Sequence, residues 1–257
     1  MRFFKKSYVA LVFLFLYAPI LILMLYSFND SRSRGSWGGF TLKWYKELFS
    51  DSAIMNSLLN TLTIAFLAAI IATVFGTAAA VGIHHMKRGA RGFIMNISYL
   101  PVMNPDIVTG VSLMLLFLFT RIPMGMATLL LAHISFNIPY VILSVLPKLK
   151  QLNPHLQEAA EDLGASTGYA FFKVILPEIS PGIVSGFLLS VTLSIDDFVV
   201  SFFTGGAGVD TLSVYIYAMA RKGVNPSINA LSTIMFAVVL TLLLVINRRG
   251  EAGETLG

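Results

Sequence analysis

Long apolar runs broken by short polar segments occupy most of the 257 residues. They fall at roughly 8–28, 58–83, 93–120, 126–147, 180–203 and 228–247, and about 20 apolar residues suffice for one helix to cross the hydrocarbon of a bilayer. The pattern predicts an all-α, polytopic membrane protein with six transmembrane helices, forming a single domain over residues 1–257. The first run follows Arg2, Lys5 and Lys6 as in a signal peptide, yet it is too long for a cleaved one and no small-residue cleavage site comes after it. It is therefore predicted to remain as the first span.

Two runs carry interruptions that a membrane helix tolerates only for a reason. The third contains Pro101-Val102-Met103-Asn104-Pro105-Asp106, and proline leaves backbone carbonyls unpaired, which is acceptable only where protein or a cavity covers them. Asn104 as N-cap, Pro105 in the first turn and Asp106 just behind predict a helix that restarts within the membrane region. Broken helices are where transporters place their sites; the alternative is that Asp106 only complements the dipole of the restarted helix. The fifth run holds Asp196 and Asp197, each costing about 2.5 to 3.5 kcal/mol at a helix centre. Either they pair with Arg121, Arg221 or Lys222 at the outer end, or they line a polar path, and an acidic path implies a cationic cargo.

The longest polar interval is Asn153 to Pro177, within the segment 148–177. Asn153 and Pro154 read as a helix start and Gly164 as a left-handed end, giving a helix over 154–163. Leu156, Ala159, Ala160 and Leu163 fall at i, i+3, i+4 and i+7, one apolar face. Glu158, Glu161 and Asp162 lie elsewhere on the cylinder. A helix this short is not stable alone in water, and an acidic one is repelled by anionic lipid, so it is suited to a protein partner with a basic groove. A surface-lying amphipathic helix is the alternative, although these more often carry lysine and arginine.

The outer segments are less decisive. Thr41 can cap a short helix whose Trp44, Tyr45, Leu48 and Phe49 share a face, suited to lying at headgroup level or to meeting an extracellular protein. Asp210 or Thr211 can start a helix ending at Gly223 that dips into the bundle as a plug and carries Tyr215. Asn225 and Pro226 open the last span, and the charged tail after it is predicted to be disordered. His84 and His85 are adjacent, not i, i+4, so they do not form a chelating helix face and read as loop residues.

Composition and charge narrow the class. Only 12% of residues are charged against about 25% in soluble domains, so no sizeable soluble domain fits. The net charge of +5 comes from clusters between apolar runs, which is a topology signal and not a nucleic-acid footprint. With the N-terminus inside, Arg2, Lys5, Lys6, Lys87, Arg88, Arg91, Lys148, Lys150, Lys173, Arg248 and Arg249 are cytoplasmic, eleven of the 18 basic residues. The other seven face outward, so both termini are predicted to be cytoplasmic. The absence of cysteine excludes thiolate chemistry. Gly205-Gly206-Ala207-Gly208 is followed by no Lys-Ser or Lys-Thr, no GxxxxGK[ST] occurs anywhere, and no hydrolase triad signature or long-period repeat is present, so no enzymatic activity is expected of this chain.

The interval Glu158-Ala159-Ala160, three residues, Gly164, nine residues, Val174, one residue, Leu176-Pro177 resembles the EAA loop of type I ABC importer permeases, with Val174 in a slot the family fills with isoleucine. Ser27-Phe28-Asn29, Gly39 to Phe49, Asn104 to Val108, Ile195-Asp196-Asp197 and Val224-Asn225-Pro226 extend the likeness over nearly the whole chain, toward the C-type permease subunits of spermidine/putrescine importers. The resemblance implies the type I permease fold in a bacterial inner membrane. It also implies a second permease subunit, two ATPase subunits that hold ATP and Mg, and an extracellular polyamine-binding protein. Glu158, Ala159, Ala160, Gly164, Leu176 and Pro177 would then couple to the ATPase. Asp106, Asp196 and Asp197, with Asn104 and Tyr215, would form the cargo path, without metal or cofactor in this chain. A permease for another small solute, a proton-coupled transporter using the Asp pair, and a non-translocating membrane scaffold are the competing readings.

Overall fold

The computed structural model describes residues 2–31, 35–222, 226–237 and 240–241. Among them every regular element is helical, and the single extended contact is an isolated antiparallel bridge between Asn29 and Phe40. In chain order the helices are α1 (Arg2–Ser27), α2 (Lys43–Ser50), α3 (Ser52–His85), α4 (Arg88–Met103), α5 (Asp106–Phe119), α6 (Met126–Gln151), α7 (Leu156–Asp162), α8 (Thr167–Ala170), α9 (Leu176–Asp196), α10 (Val199–Thr204) and α11 (Leu212–Lys222). A π-helical turn, Phe171–Ile175, joins α8 to α9.

Four stretches are long and apolar enough to cross a membrane, namely Lys6–Ser27, Ser52–His85, Met126–Gln151 and Thr167–Asp196. The pair α4 and α5, bent by 104°, makes a fifth if it is one broken span. The sixth expected run, 228–247, begins in helical residues 226–237, and most of its second half lies outside the described residues, as do Gly223, Asn225 and the charged tail.

Two expectations about helix ends change. His84 and His85 are the last residues of α3 and not loop, with His85 Nδ1 2.9 Å from the Val81 carbonyl. The helical stretch around the fifth run starts at Thr167, well before 180, because Thr167 to Leu176 is helix-compatible once the ladder is adjusted ahead of Pro177. The wide turn makes that adjustment, the Leu176 N–H reaching back to the Phe171 carbonyl. The same stretch ends at Asp196 instead of continuing to 203.

The chain divides into two compact units, one comprising residues up to 56 and from 216 onward, the other Ser57 to Tyr215. In the first, α1 exposes Tyr8, Leu11, Phe15 and Leu25, an apolar surface suited to hydrocarbon. In the outer helix α2, Trp44 and Tyr45 of the expected interfacial face turn to partners within the chain. Trp44 is 1% exposed, its indole N–H donates to the Asn29 carbonyl at 2.7 Å, and the Tyr45 hydroxyl lies 2.7 Å from Ser27 Oγ. Asn29 in turn binds the loop, accepting from the Gly38 N–H at 2.7 Å and donating to the Ser36 carbonyl at 2.9 Å. A buried indole needs a partner for its N–H, and Asn29 supplies one. Phe49, on the other side of the turn, stays exposed.

In the second unit α6 is the axis. Ala72 and Ala80 of α3 and Ile179 of α9 pack with Val141, Val145 and Leu149 of α6 in one buried cluster. Gly182 and Gly186, four apart on α9, let that helix approach α6 closely: a Cβ at 186 would lie 3.2 Å from Val141 Cα, and one at 182 would lie 2.9 Å from the Ser144 carbonyl oxygen. A leucine at position 186 forces the two helices apart, so Gly186→Leu is expected to destabilise by about 1–3 kcal/mol. Its thermal midpoint in detergent, read by size-exclusion chromatography, should drop, whereas Val184→Leu on the exposed side should not move it.

Candidate functional site

The first break is set by a proline. Asn104 ends α4 in an extended conformation, φ −75° and ψ 143°, with its N–H on the Leu100 carbonyl at 3.0 Å. Pro105, φ −56° and ψ 138°, occupies the N-cap position, and its carbonyl receives the Val108 N–H at 2.9 Å. Asn104 therefore closes α4 and does not cap α5, because the N-cap position belongs to Pro105; the following proline holds Asn104 in its extended conformation. Asp106 stands in the first turn of α5, where the unpaired amides favour an anion.

The second break is set by an aspartate. Asp197 is extended, φ −62° and ψ 126°, and its carboxylate accepts from the Val200 N–H at 3.2 Å and the Ser201 N–H at 2.7 Å. It thus starts α10 where the sequence predicted an unbroken helix. Asp197 Oδ2 lies 3.6 Å from Nε2 of His133, a fully buried residue of α6 that is 3.1 Å from Ser201 Oγ. Ser213 Oγ donates to the Asp197 carbonyl at 2.5 Å, fixing the start of α11 at the same point.

Between these breaks and α6 lies a cleft of about 250 Å³ whose wall includes Asp106, Thr109, Phe136, Tyr140, Asp196 and Asp197. The three aspartates singled out from sequence are brought into one cavity. Asp196 is exposed, whereas the Asp197 side chain is only 9% exposed. Among the described residues no lysine or arginine lies within ion-pair distance of either, and no cluster of side chains could hold a metal ion. Asn104 lines a neighbouring cavity with Val108, Ser112 and Ser135, sharing Pro101, Thr109 and Phe136 with the cleft. Tyr215 lies in α11 and does not line it.

Sequence reasoning missed what α6 contributes, Phe136 and Tyr140 to the cleft wall and His133 and Asn137 buried outside it. His133, Phe136, Asn137 and Tyr140 recur at i, i+3, i+4 and i+7, and Asn137 is buried with its amide donating to Ser194 Oγ of α9 at 2.8 Å. That periodic polar and aromatic stripe inside an apolar run was the available signal.

At the other polar element, α7 covers Leu156–Asp162 and is shorter than the expected 154–163. Asn153 forms an Asx turn ahead of it, accepting from the His155 N–H at 3.0 Å; no side chain caps the helix itself. Gly164, φ +89°, ends it in a Schellman arrangement: the Gly164 N–H donates to the Glu161 carbonyl at 2.9 Å and the Ala165 N–H to that of Ala160 at 3.1 Å. Glu158 and Ala159 are exposed, Ala160 is half-buried, and Leu163 is 90% exposed. Leu163, Gly164, Tyr169 and Val174 line an open groove of about 600 Å³. Leu176 and Pro177 form the first turn of α9.

Residues 72–249 match the family described as binding-protein-dependent transport system inner membrane component. The chain belongs to that family. It is 40% identical over 246 residues to the spermidine/putrescine transport system permease protein PotC of Haemophilus influenzae, covering 95% of each chain. It is 43% identical over 235 residues to the putrescine transport system permease protein PotI of Escherichia coli K12, covering 88% of this chain and 83% of that one. Among solved structures, a chain of a bacterial ABC transporter involved in the import of the acidic polysaccharide alginate superposes with a TM-score of 0.72 at 19% identity, covering 97% of this chain and 95% of that one. This last likeness is one of fold. A family permease whose cleft is wet should show it by chemistry: in the cysteine-free chain, Asp196→Cys is expected to react with a charged thiol reagent at least about tenfold faster than Leu188→Cys on the apolar exterior, because only a hydrated thiol ionises.

Proposed function

We propose that this chain is the type I, six-span permease subunit of an ATP-driven importer that passes polyamines, spermidine or putrescine, into the cytoplasm. The observation that carries the reading is the convergence of Asp106, Asp196 and Asp197 on one cleft, with no lysine or arginine near Asp196 or Asp197 among the described residues. Carboxylates left without protein counter-ions in an apolar bundle offer charge-assisted hydrogen bonds to a cation. Phe136, Tyr140 and Phe198 on the same wall add ring faces that attract ammonium groups. The names of the PotC and PotI relatives agree with a polyamine.

In this reading Asn104 and Tyr215 extend the polar route beyond the cleft. The segment Glu158, Ala159, Ala160, Gly164, Leu176 and Pro177 meets the ATPase, to which Leu163 and Tyr169 present apolar surface. The complex contains a second permease, two ATPase subunits carrying ATP and Mg, and an extracellular polyamine-binding protein. Both termini are cytoplasmic, in a bacterial inner membrane.

The test is uptake of labelled spermidine by the reconstituted complex, with putrescine, amino acids and thiamine as competitors. Asp196→Asn and Asp197→Asn should each lower uptake about tenfold or more, the size of one charge-assisted hydrogen bond, with the complex still assembled. Wild-type rates in both would remove the carboxylates from the path. Glu158→Ala should leave the cleft intact yet weaken co-purification of the ATPase or its cargo-stimulated turnover; unchanged values in both would sink its coupling role.

A further inference from the structure

His133 is the one fully buried ionisable side chain in α6, and the cargo path as drawn above does not use it. Its surroundings are apolar: Ala132, Phe117 and Val200 form a buried cluster beside it, and the Phe136 ring centroid is 5.1 Å from its own. Burying an imidazole in such a place costs free energy unless its polar atoms do something. Nε2 does. It lies 3.1 Å from Ser201 Oγ and 3.6 Å from Asp197 Oδ2. Ser201 is bound to the same carboxylate by its backbone N–H at 2.7 Å, so its hydroxyl sits next to both the imidazole and the carboxylate it caps. Nδ1 has no hydrogen-bond partner and is out of contact with solvent. A ring with one buried nitrogen unpartnered and the other on a hydroxyl is satisfied best when neutral, with its proton on Nε2.

The remaining titratable groups at this point are Asp106 from α5, Asp196 from α9 and Tyr140 from α6, all on the cleft wall; α10 carries none. The imidazole is thus the donor that stands behind Asp197, while the cleft stands in front of it.

We propose that His133 is a positioning residue for the cargo site, donating from Nε2 to Ser201 Oγ so that the Ser201 hydroxyl points its own proton at Asp197 and holds that carboxylate toward the cleft. No proton leaves the relay: Nε2–H stays on the imidazole and Oγ–H stays on the serine. What the relay adds is a further, side-chain constraint on a carboxylate that the Val200 and Ser201 amides already anchor from the helix side. It also gives a role to the buried Ser201 hydroxyl at the first turn of α10, 3.1 Å from the imidazole nitrogen. This inference rests on the reading of Asp197 as a cargo ligand, and its first test is independent of cargo.

The chain has four histidines, so protein labelled with ¹⁵N in histidine alone and reconstituted in lipid gives four imidazole spin systems, and His133→Gln assigns one by its loss. At neutral pH that ring should carry its proton on Nε2. Ser201→Ala and Asp197→Asn should shift its Nε2 resonance while leaving His84, His85 and His155 unmoved. A proton on Nδ1, or a His133 signal indifferent to both substitutions, overturns the proposal whether or not the complex transports polyamine. The second test is transport. His133→Leu should lower spermidine uptake by about fivefold, the size of one buried hydrogen bond. His133→Gln, which keeps an N–H near the position of Nε2, should restore most of it. Adding His133→Leu to Asp197→Asn should cost nothing further. Equal losses for Leu and Gln, or additive losses in the double variant, overturn the proposal; failure of the wild-type complex to take up any polyamine defeats the cargo reading and leaves the spectroscopic result to decide the relay.

Discussion

A backbone that breaks inside an apolar bundle must find hydrogen-bond partners without water, and each unsatisfied group costs several kcal/mol. Two such breaks face α6, and the candidate site follows from how each is resolved. At Asn104-Pro105 the problem is reduced by subtraction: proline contributes no N–H, and its carbonyl takes the first amides of α5. At Asp197 it is solved by addition, the side chain accepting the two amides that α10 would otherwise leave bare. The second solution itself places a carboxylate at a helix start, and Asp106 stands just behind the first break, so each break brings a carboxylate to the cleft. One carboxylate of the cleft, that of Asp197, is thus also a helix cap.

How much of this could be read from the sequence depended on how expensive each residue is. Asp106, Asp196 and Asp197 were legible because a charge in an apolar run demands an explanation, and the cleft unites all three. The helix break at Pro105 was legible because proline has one backbone meaning. His133, Phe136, Asn137 and Tyr140 were not, since neutral polar and aromatic residues at helical spacing look like core. Only the position of α6, between the two breaks, puts Phe136 and Tyr140 on the cleft wall, with His133 and Asn137 buried outside it. Trp44 shows the converse: an aromatic in an outer segment suits an interface by its type, but the carbonyl of Asn29 holds this indole in the interior. Helix ends were read least well. A local rule places a cap, but a π-helical turn or a preceding proline moves the boundary by several residues.

The segment around α7 is governed by local chemistry, and there the reading held where a residue has few conformational options. Gly164 takes the positive φ that ends the helix, and two backbone hydrogen bonds close the turn. What the sequence did not reveal is the state of the apolar face. Leu156 and Ala160 are half-buried, but Leu163, Tyr169 and Phe172 project outward. Contiguous exposed apolar side chains next to exposed carboxylates are uncommon on a surface that meets only water. They agree with a chain built to be covered at that end.

Fold and cargo are separable in the function proposed for this chain. A chain of an alginate transporter, whose cargo is an acidic polysaccharide, shares the architecture at 19% identity, so the arrangement of helices does not choose the sign of what passes. That choice must reside in side chains the architecture tolerates but does not require. Phe136, Tyr140 and the exposed carboxylate of Asp196 are of this kind, since nothing in the helix ladder needs them. Asp197 is of both kinds at once: it caps α10 with the same carboxylate it shows to the cleft. An amide in its place could still accept one of the two amides through its carbonyl, but would bring no negative charge. If Asp197 meets the cargo as proposed, its two contributions can be separated by removing the charge and keeping the shape.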